Sequence, residues 1–282
     1  MKKVFDIINV CSYEEVIFIN EPRISQLCYD INLGSTKPKF AILDDGTQVI
    51  AKLYNGPEGN LVLFNEYLCY RLAILSDIPM PKSGICILDS LSEIQDERLA
   101  STHNYGKAFF SEYMPKVTKL LPSIIGKMRN KEDFVKILLF DHIIFNTDRN
   151  PGNLLVRFRK DDVSLKVIDH THVFINQAIW DANCLKSAMK ENDLLDTKVL
   201  ECNSYLYEMF FHNFSITKEM LEKESLVFKN KISRDIIIEL IDLVPEEWKP
   251  QQKDLDELVN YVLYRVDNLD MIISAILTYN NR

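Results

Sequence analysis

The turn-forming residues of this chain are concentrated in its first half. All 8 glycines lie at or before Gly152, and of the 10 prolines only Pro245 and Pro250 lie beyond that position. Glycine and proline mark turns and interrupt regular elements, so residues 153–282 can form long helices. The sequence therefore predicts an α+β protein, with a strand-rich front part followed by a mainly helical back part.

Short apolar runs divide the front part into strands and one helix. Residues 39–43 and 47–54 flank the turn sequence Asp44-Asp45-Gly46, which is typical of a hairpin. Residues 61–75 repeat apolar side chains every three to four positions, which predicts a helix. Residues 83–88 and 107–113 are further strand candidates. We expect the polar residues 89–104 between them to form a loop or a short helix.

The back part is predicted to begin with a helix and a second hairpin. The helix covers residues 131–146, and the hairpin joins residues 154–158 to residues 165–168. Later helices are expected near residues 178–192, 197–213, 234–243 and 255–277. At ~150 residues per domain, the length suggests two domains or lobes. We expect an N-lobe over residues 1–114 and a C-lobe over residues 115–282.

Charge and cysteine content limit the classes of ligand and the cellular compartments that suit this chain. A net charge of −8 argues against direct binding of nucleic acid, which needs clustered Lys and Arg. The 6 cysteines include no CxxC pair, which favours a reducing compartment. Asp6 interrupts the short apolar start, and no apolar run reaches ~18 residues, so neither a secretion signal nor a membrane span is predicted. We expect a cytoplasmic protein.

Three oxygen-bearing side chains carry the clearest chemical signal. Asp148 and Asn153 lie on the loop between a predicted helix and strand, and Asp169 follows the next strand. Phosphoryl transfer from ATP needs an acid beside the reacting hydroxyl and hard oxygen ligands for Mg²⁺. This predicts catalysis by Asp148 and Mg²⁺ binding by Asn153 and Asp169. The alternative is a polar loop that makes only local turn bonds.

Lys52 and Glu66 are candidates for binding the phosphates of ATP. Lys52 lies on a predicted strand between apolar neighbours, and Glu66 lies on the helix that follows. A lysine there can reach the α- and β-phosphates, and a glutamate can hold it in place. Taken alone, a lysine in this position is more often a solvated strand residue. Glu66 and the later acids favour the functional interpretation.

Two further segments are candidates for contacting the nucleotide. Residues 32–39, NLGSTKPK, place Gly34 and Ser35 where backbone N–H groups can meet phosphate, although a simple turn is an equal alternative. A weaker hypothesis is that Ser35 or Thr36 is autophosphorylated. Residues 110–114, FSEYM, follow the strand expected to meet adenine, with Glu112 and Met114 as the candidate contacts. An ordinary strand end is the alternative there.

Arg149, His170 and His172 lie close to the candidate acids in the sequence. Arg149 is expected to stabilise the loop, to contact a phosphate or to be solvated. Metal binding by the histidines is disfavoured, because Mg²⁺ prefers oxygen ligands.

With these residues assembled, the chain resembles the HipA-like kinase family. The similarity lies in the segments GSTKPKF, QVIAKLY, NEYLCYRLA with IPMPK, NTDRNPGNLLV and VIDHTHVF, over roughly residues 34–174. It implies a bilobal protein-kinase-like fold that uses ATP and Mg²⁺ to phosphorylate Ser or Thr of proteins. The resemblance implies that Lys52 binds ATP phosphates, that Asp148 is the catalytic acid–base, and that Asn153 and Asp169 bind metal.

The resemblance also bears on partners. The best-known family members phosphorylate proteins that include aminoacyl-tRNA synthetases, and they act as toxins restrained by an antitoxin. A translation-related protein substrate and an antitoxin partner are therefore expectations. Asp169 is followed by His170 and Thr171 instead of Phe-Gly, so ordinary protein-kinase switching is not implied. Two alternatives stay open: a small-molecule or phosphoinositide-like kinase, and a pseudokinase that binds nucleotide or a partner without transfer.

Overall fold

A computed structural model describes residues 21–31, 34–100, 104–159 and 162–280. The start of the chain, where no secretion signal is predicted, lies outside these residues. So do residues 32–33 of the predicted phosphate loop, residues 101–103 of the predicted connecting loop, and residues 160–161 in the turn of the second hairpin.

The front part is built on a mixed sheet. Its strands are β1 (Ile24–Asp30), β2 (Lys39–Leu43), β3 (Gln48–Lys52), β4 (Ser83–Leu88), β5 (Glu93–Ile94) and β6 (Gly106–Glu112). Among the described residues the spatial order is β4-β6-β3-β2-β1-β5, with β5 parallel to β1 and the other pairs antiparallel. The predicted hairpin, β2 with β3, is confirmed. β1 and β5 were not predicted.

The alternation of side chains along β3 decides which of them can face a ligand. Val49 and Ala51 are fully buried in a small core on one face of the sheet. Successive strand residues point to opposite faces, so Ile50 and Lys52 lie on the other face. The hairpin turn fixes this register, because the N–H of Gly46 donates to the carbonyl of Leu43 at 3.0 Å. The same register directs Lys52 away from the small core.

Helix α1 (Leu61–Leu75) has the predicted bounds. Most of its surface is covered, and even Asn65 and Glu66 are buried. A helix that is covered on nearly all sides lies inside the protein rather than on its surface. α1 therefore carries polar side chains into the interior, where they need partners.

The back part combines a small second sheet with helices. In the described chain this sheet has the order β7-β8-β9, from β7 (Val117–Lys119), β8 (Leu154–Arg159) and β9 (Asp162–Val167), and β8 with β9 is the predicted second hairpin. The helices are α2 (Glu97–Ala100), α3 (Pro122–Ile125), α4 (Asp133–Ile143), α5 (Ala182–Lys190), α6 (Lys198–Cys202), α7 (Ser204–Asn213), α8 (Lys218–Lys231), α9 (Arg234–Asp242), α10 (Gln252–Asp267) and α11 (Leu269–Asn280).

Two expectations about the helices were wrong in detail, and one helix was missed. The helix predicted over residues 197–213 is divided into α6 and α7 at Asn203, and that over residues 255–277 is divided into α10 and α11 at Asn268. α8 was not predicted, because its buried residues, Leu221, Ser225 and Phe228, form only a narrow stripe in a charged sequence. No described helix is long and apolar enough to cross a membrane.

Candidate active site

A cavity of about 610 Å³ lies on the face of the first sheet that carries Lys52. It also meets the loop between α4 and β8 and the segment after β9. Its lining includes every residue that the sequence analysis assigned to catalysis, nucleotide or metal: Gly34, Ser35, Lys52, Glu66, Glu112, Met114, Asp148, Asn153 and Asp169. The fold thus brings these residues to one cavity, while their individual roles stay predictions.

Lys52 is the centre of a cluster of charges in which Glu66 is buried and Asp169 is partly exposed. Its Nζ pairs with Glu66 of α1, lies 3.0 Å from Oδ1 of Asp169 and lies 2.5 Å from Oγ1 of Thr171. Burial alone would lower the pKa of Lys52, but Glu66 and Asp169 outweigh it and raise that pKa. Burial likewise opposes ionisation of Asp169, yet Lys52 holds the pKa of Asp169 well below its usual value. Both groups therefore stay charged at neutral pH.

Helix α1 fixes the segment that carries Asp169. Glu66 accepts hydrogen bonds from the backbone N–H of His170 at 3.0 Å and from the hydroxyl of Thr171 at 2.9 Å. The neighbouring Asn65 donates to the carbonyl of Thr171 at 2.9 Å. Asp169 has a φ of 62°, a left-handed conformation that is uncommon outside glycine. These bonds hold Asp169 in that conformation.

The loop that carries Asp148 is ordered by its own side chains. The N–H of Asp148 donates to Oδ1 of Asn146 at 2.9 Å, and the N–H of Gly152 donates to Oδ1 of Asn150 at 2.9 Å. Asn153 donates through Nδ2 to the carbonyl of Asp148 at 2.8 Å, which leaves the amide Oδ1 of Asn153 for another partner. The carboxylate of Asp148 is 48% exposed and lines the cavity.

Arg149 is buried beneath this loop. Its guanidinium pairs with Asp141 at 3.0 Å and donates to the carbonyl of Ile168 at 2.7 Å. It also lies 2.8 Å from Nε2 of His170, and Tyr207 donates to Asp141 at 3.0 Å. Of the three roles considered for Arg149, these contacts support stabilisation of the loop.

His172 contacts the carboxylate of Asp148. Its Nδ1 lies 3.2 Å from Oδ2 of Asp148, and its Nε2 lies 3.0 Å from Oε2 of Glu58. The hydrogen bond with Asp148, joined by the charge of Glu58, raises the pKa of His172 although partial burial opposes it. The imidazole therefore keeps its proton to a higher pH than an ordinary histidine.

The backbone at the end of β6 is held against the sheet. The N–H of Glu112 donates to the carbonyl of Lys82 at 2.7 Å, and the N–H of Tyr113 donates to the carbonyl of Gln48 at 2.8 Å. Glu112, Tyr113 and Met114 all line the cavity. This stretch is an ordered wall of the cavity.

The described part of the phosphate-loop candidate also borders the cavity. Gly34, Ser35 and Thr36 are lining residues, and Gly34 has a φ of 76°. This left-handed conformation suits glycine and favours a tight turn of the backbone.

Sequence reasoning missed several residues of the site. Asp141 had a usable signal, since it is an isolated acid in the apolar run LLFDHIIF. Thr171 and His172 follow Asp169, but nothing local indicated that they would contact Lys52 and Asp148. Glu58 had no signal at all, because its partner lies far along the chain.

Comparison with known proteins places this arrangement in a family. A family model described as HipA-like kinase matches residues 24–272. A search of curated proteins found no match. In the solved structure of the Helicobacter pylori proinflammatory kinase CtkA, 10% of residues are identical over 91% of this chain and 98% of that chain, with a TM-score of 0.60.

The Golgi casein kinase, solved with Mn/ADP bound, gives a TM-score of 0.54 at 10% identity, over 91% of this chain and 74% of that chain. At such low identity these likenesses show the fold alone, which is a protein-kinase-like α+β fold. The match to the kinase family supports a phosphotransferase of the protein-kinase type. Because the family model covers most of the sequence, the chain belongs to the HipA-like kinase family.

Proposed function

We propose that the protein transfers the γ-phosphoryl group of ATP, with Mg²⁺, to a Ser or Thr hydroxyl of another protein. The observation that carries this proposal is the convergence of Lys52, Asp148, Asn153 and Asp169 on one cavity. At about 610 Å³ the cavity lies within the usual range for small-molecule sites, ~300–1,000 Å³.

In this proposal the nucleotide occupies the cavity and contacts lining residues from several segments. The Lys52 ammonium, held by Glu66, binds phosphate oxygens, and the turn at Gly34 and Ser35 covers the phosphates with its backbone. The backbone at Glu112 and Met114 hydrogen-bonds the edge of the base. A base edge is recognised well by a backbone that is already fixed, as it is here.

The residues present fit a magnesium ion. Asp169 is kept ionised by Lys52, and Asn153 uses its amide nitrogen internally, so hard oxygen atoms remain for a metal. Asp169 and Asn153 would hold the ion. When bound, Mg²⁺ neutralises charge on the phosphates during transfer.

Asp148 receives the proton of the acceptor. The hydroxyl oxygen forms a bond to the γ-phosphorus, the bond from that phosphorus to the β–γ bridging oxygen breaks, and ADP leaves. The hydroxyl proton passes to the carboxylate of Asp148, whose partial exposure admits an acceptor. Positioning and charge stabilisation supply most of the rate in this chemistry.

The test is transfer of label from γ-labelled ATP in cell lysate, with Asp148→Asn as the inactive comparison. Label on Ser or Thr of a protein supports the proposal. Label only in extracted small molecules or lipids selects the small-molecule kinase, and ATP binding without transfer selects the pseudokinase. Phosphosite mapping then identifies the acceptor.

Several finer predictions accompany this function. We propose residues 1–114 as the N-lobe and residues 115–282 as the C-lobe. The family resemblance predicts an antitoxin partner and a translation-related substrate, and the cysteine pattern predicts a cytoplasmic location. Copurification and localisation of the tagged protein test these points.

A further inference from the structure

The carboxylate of Asp148 is tied to a second acid by His172. The two ring nitrogens of His172 lie 3.2 Å from Asp148 and 3.0 Å from Glu58. The histidine follows the strand that ends near Asp169, Asp148 comes from the loop after α4, and Glu58 comes from the loop before α1. Three separate segments therefore meet at one imidazole, which the transfer chemistry above does not use.

A ring between two carboxylates favours the imidazolium. Neutral imidazole donates from one nitrogen only, whereas the protonated ring donates from both. Asp148 and Glu58 are the acids that face His172, and together they raise its pKa. Asp169, three residues earlier, is instead paired with Lys52. Protonated His172 therefore satisfies both of its neighbours.

Glu58 is a fixed anchor for this bridge. The N–H of Asn55 donates to Oδ1 of Asn60 at 2.7 Å, and Asn60 donates back to Oδ1 of Asn55 at 2.8 Å. Between them, the N–H of Gly59 donates to the carbonyl of Gly56 at 3.0 Å. The loop that carries Glu58 is thus closed on itself, and its side chain is only 23% exposed.

We infer that His172 is a positioning residue for phosphoryl transfer, which ties one oxygen of Asp148 to Glu58 and leaves the other oxygen to accept the hydroxyl proton. The inference rests on the proposed function, in which Asp148 is the acid–base. A carboxylate on an exposed loop is free to rotate, and small misplacements of a reacting group can cost ~100-fold in rate. A bridge to a closed loop removes that freedom.

Kinetics of His172 and Glu58 variants test the positioning role. We expect His172→Ala to lower kcat at least tenfold and His172→Gln, which keeps one donor, to lower it less. The KM for ATP should stay within twofold in both. In wild-type protein, activity should fall at alkaline pH as His172 loses its proton. Glu58→Gln should move this fall to lower pH, because it removes a negative charge beside the imidazolium.

His212→Gln is the matched control, since His212 is exposed and bonds to the Glu208 carbonyl of its own helix. This variant should keep the wild-type kcat and pH profile. If His172→Ala also keeps both, while Asp148→Asn is inactive, the inference is wrong and the proposed function stands.

An NMR titration of the imidazole separates the two claims. The His172 signal, assigned by its loss in His172→Gln, should titrate above an ordinary histidine and should move down in both Glu58→Gln and Asp148→Asn. An unchanged titration in those two variants would overturn the bridge. If the bridge is present but wild-type protein transfers no phosphate to any acceptor, the proposed function and the positioning role both fail.

Discussion

At the scale of the residue, the site is prepared before nucleotide arrives. Lys52 already contacts Glu66 and Asp169, and Asp169 already has the left-handed backbone that its neighbours impose. Charged groups held in place in this way do not have to reorganise during the reaction. The geometry that the reaction needs is therefore present in the protein before its substrates bind.

Asp148→Asn should slow transfer strongly while sparing nucleotide binding. The amide keeps the size of the side chain but cannot take a proton, and general base catalysis contributes ~10²–10⁴ in rate. We expect kcat to fall by about that factor, with the affinity for ATP within twofold of wild type, measured by label transfer and calorimetry. Asp235→Asn, on the exposed start of α9, is the control and should keep full rate.

Asp169→Ala should remove the dependence of nucleotide binding on Mg²⁺. Wild-type protein is expected to bind ATP more tightly with Mg²⁺ than with a chelator, because Asp169 and Asn153 supply hard oxygen ligands. The variant should show equal affinity in the two conditions, by calorimetry. A wild-type affinity that ignores Mg²⁺ would contradict the assignment of Asp169.

The residues proposed to bind or react could be predicted from the sequence, whereas most of the residues that orient them could not. Asp148, Asn153 and Asp169 lie close together in one segment, so their spacing could be recognised. Glu58 and His172 are 114 positions apart, with α1, the last three strands of the first sheet and the whole second sheet between them in the sequence. Only the tertiary structure brings the two side chains to 3.0 Å. Spacing in the sequence carries no information on such a contact.

At the scale of the element, one buried ion pair holds the loop between α4 and β8. Arg149 and Asp141 are both fully buried, and the guanidinium also reaches the end of β9 through the carbonyl of Ile168. Asn203 adds a second tie, since it accepts from the N–H of Arg149 at 2.8 Å and donates to the carbonyl of Asn146 at 2.7 Å. The pair thus joins a helix, a loop and a strand.

Arg149→Met should destabilise the protein strongly. It leaves the Asp141 carboxylate buried without its cation, and breaking a buried pair costs about 3–5 kcal/mol. Urea unfolding should show that loss, and the double variant Arg149→Met/Asp141→Leu should recover much of it. Arg159→Ala, at an exposed position, should change the free energy of unfolding little. A small effect of Arg149→Met alone would contradict the role given to this pair.

Helix positions were predicted well where the apolar period is strong, as in α1, and poorly where a side chain interrupts it. Asn203 ends α6 because its amide is committed to the loop of Asp148, a tertiary reason that local periodicity does not contain. β1 was missed although Ile24 and Leu27 are fully buried, because it has no turn signal of its own.

At the scale of the whole molecule, buried neutral histidines link stability to pH. Burial lowers the pKa of His142 to about 3, and burial together with Arg149 lowers that of His170. An unfolded histidine has a pKa of ~6.5, so below that pH the unfolded state binds more protons. The free energy of unfolding should therefore fall as pH decreases through this range.

The contribution of His142 is measurable as a slope. Between about pH 6 and pH 4, His142 should contribute ~1.4 kcal/mol per pH unit to the change of the free energy of unfolding with pH. Wild-type protein should show this contribution, and His142→Gln should lack it. Urea unfolding at several pH values measures the slope, and His212→Gln should keep it. Equal slopes in His142→Gln and wild type would show that His142 is not buried in its neutral form.

The contacts between α1 and the segment after β9 have a consequence for how the activity of the protein is regulated. Glu66 contacts Lys52, the backbone N–H of His170 and the hydroxyl of Thr171 at once, so an outward movement of the helix would break all three interactions together. An inactive conformation with α1 moved outward would therefore cost the protein much free energy. We therefore expect its restraint to come from outside, through a molecule that obstructs entry to the cleft or through how much of the protein a cell keeps.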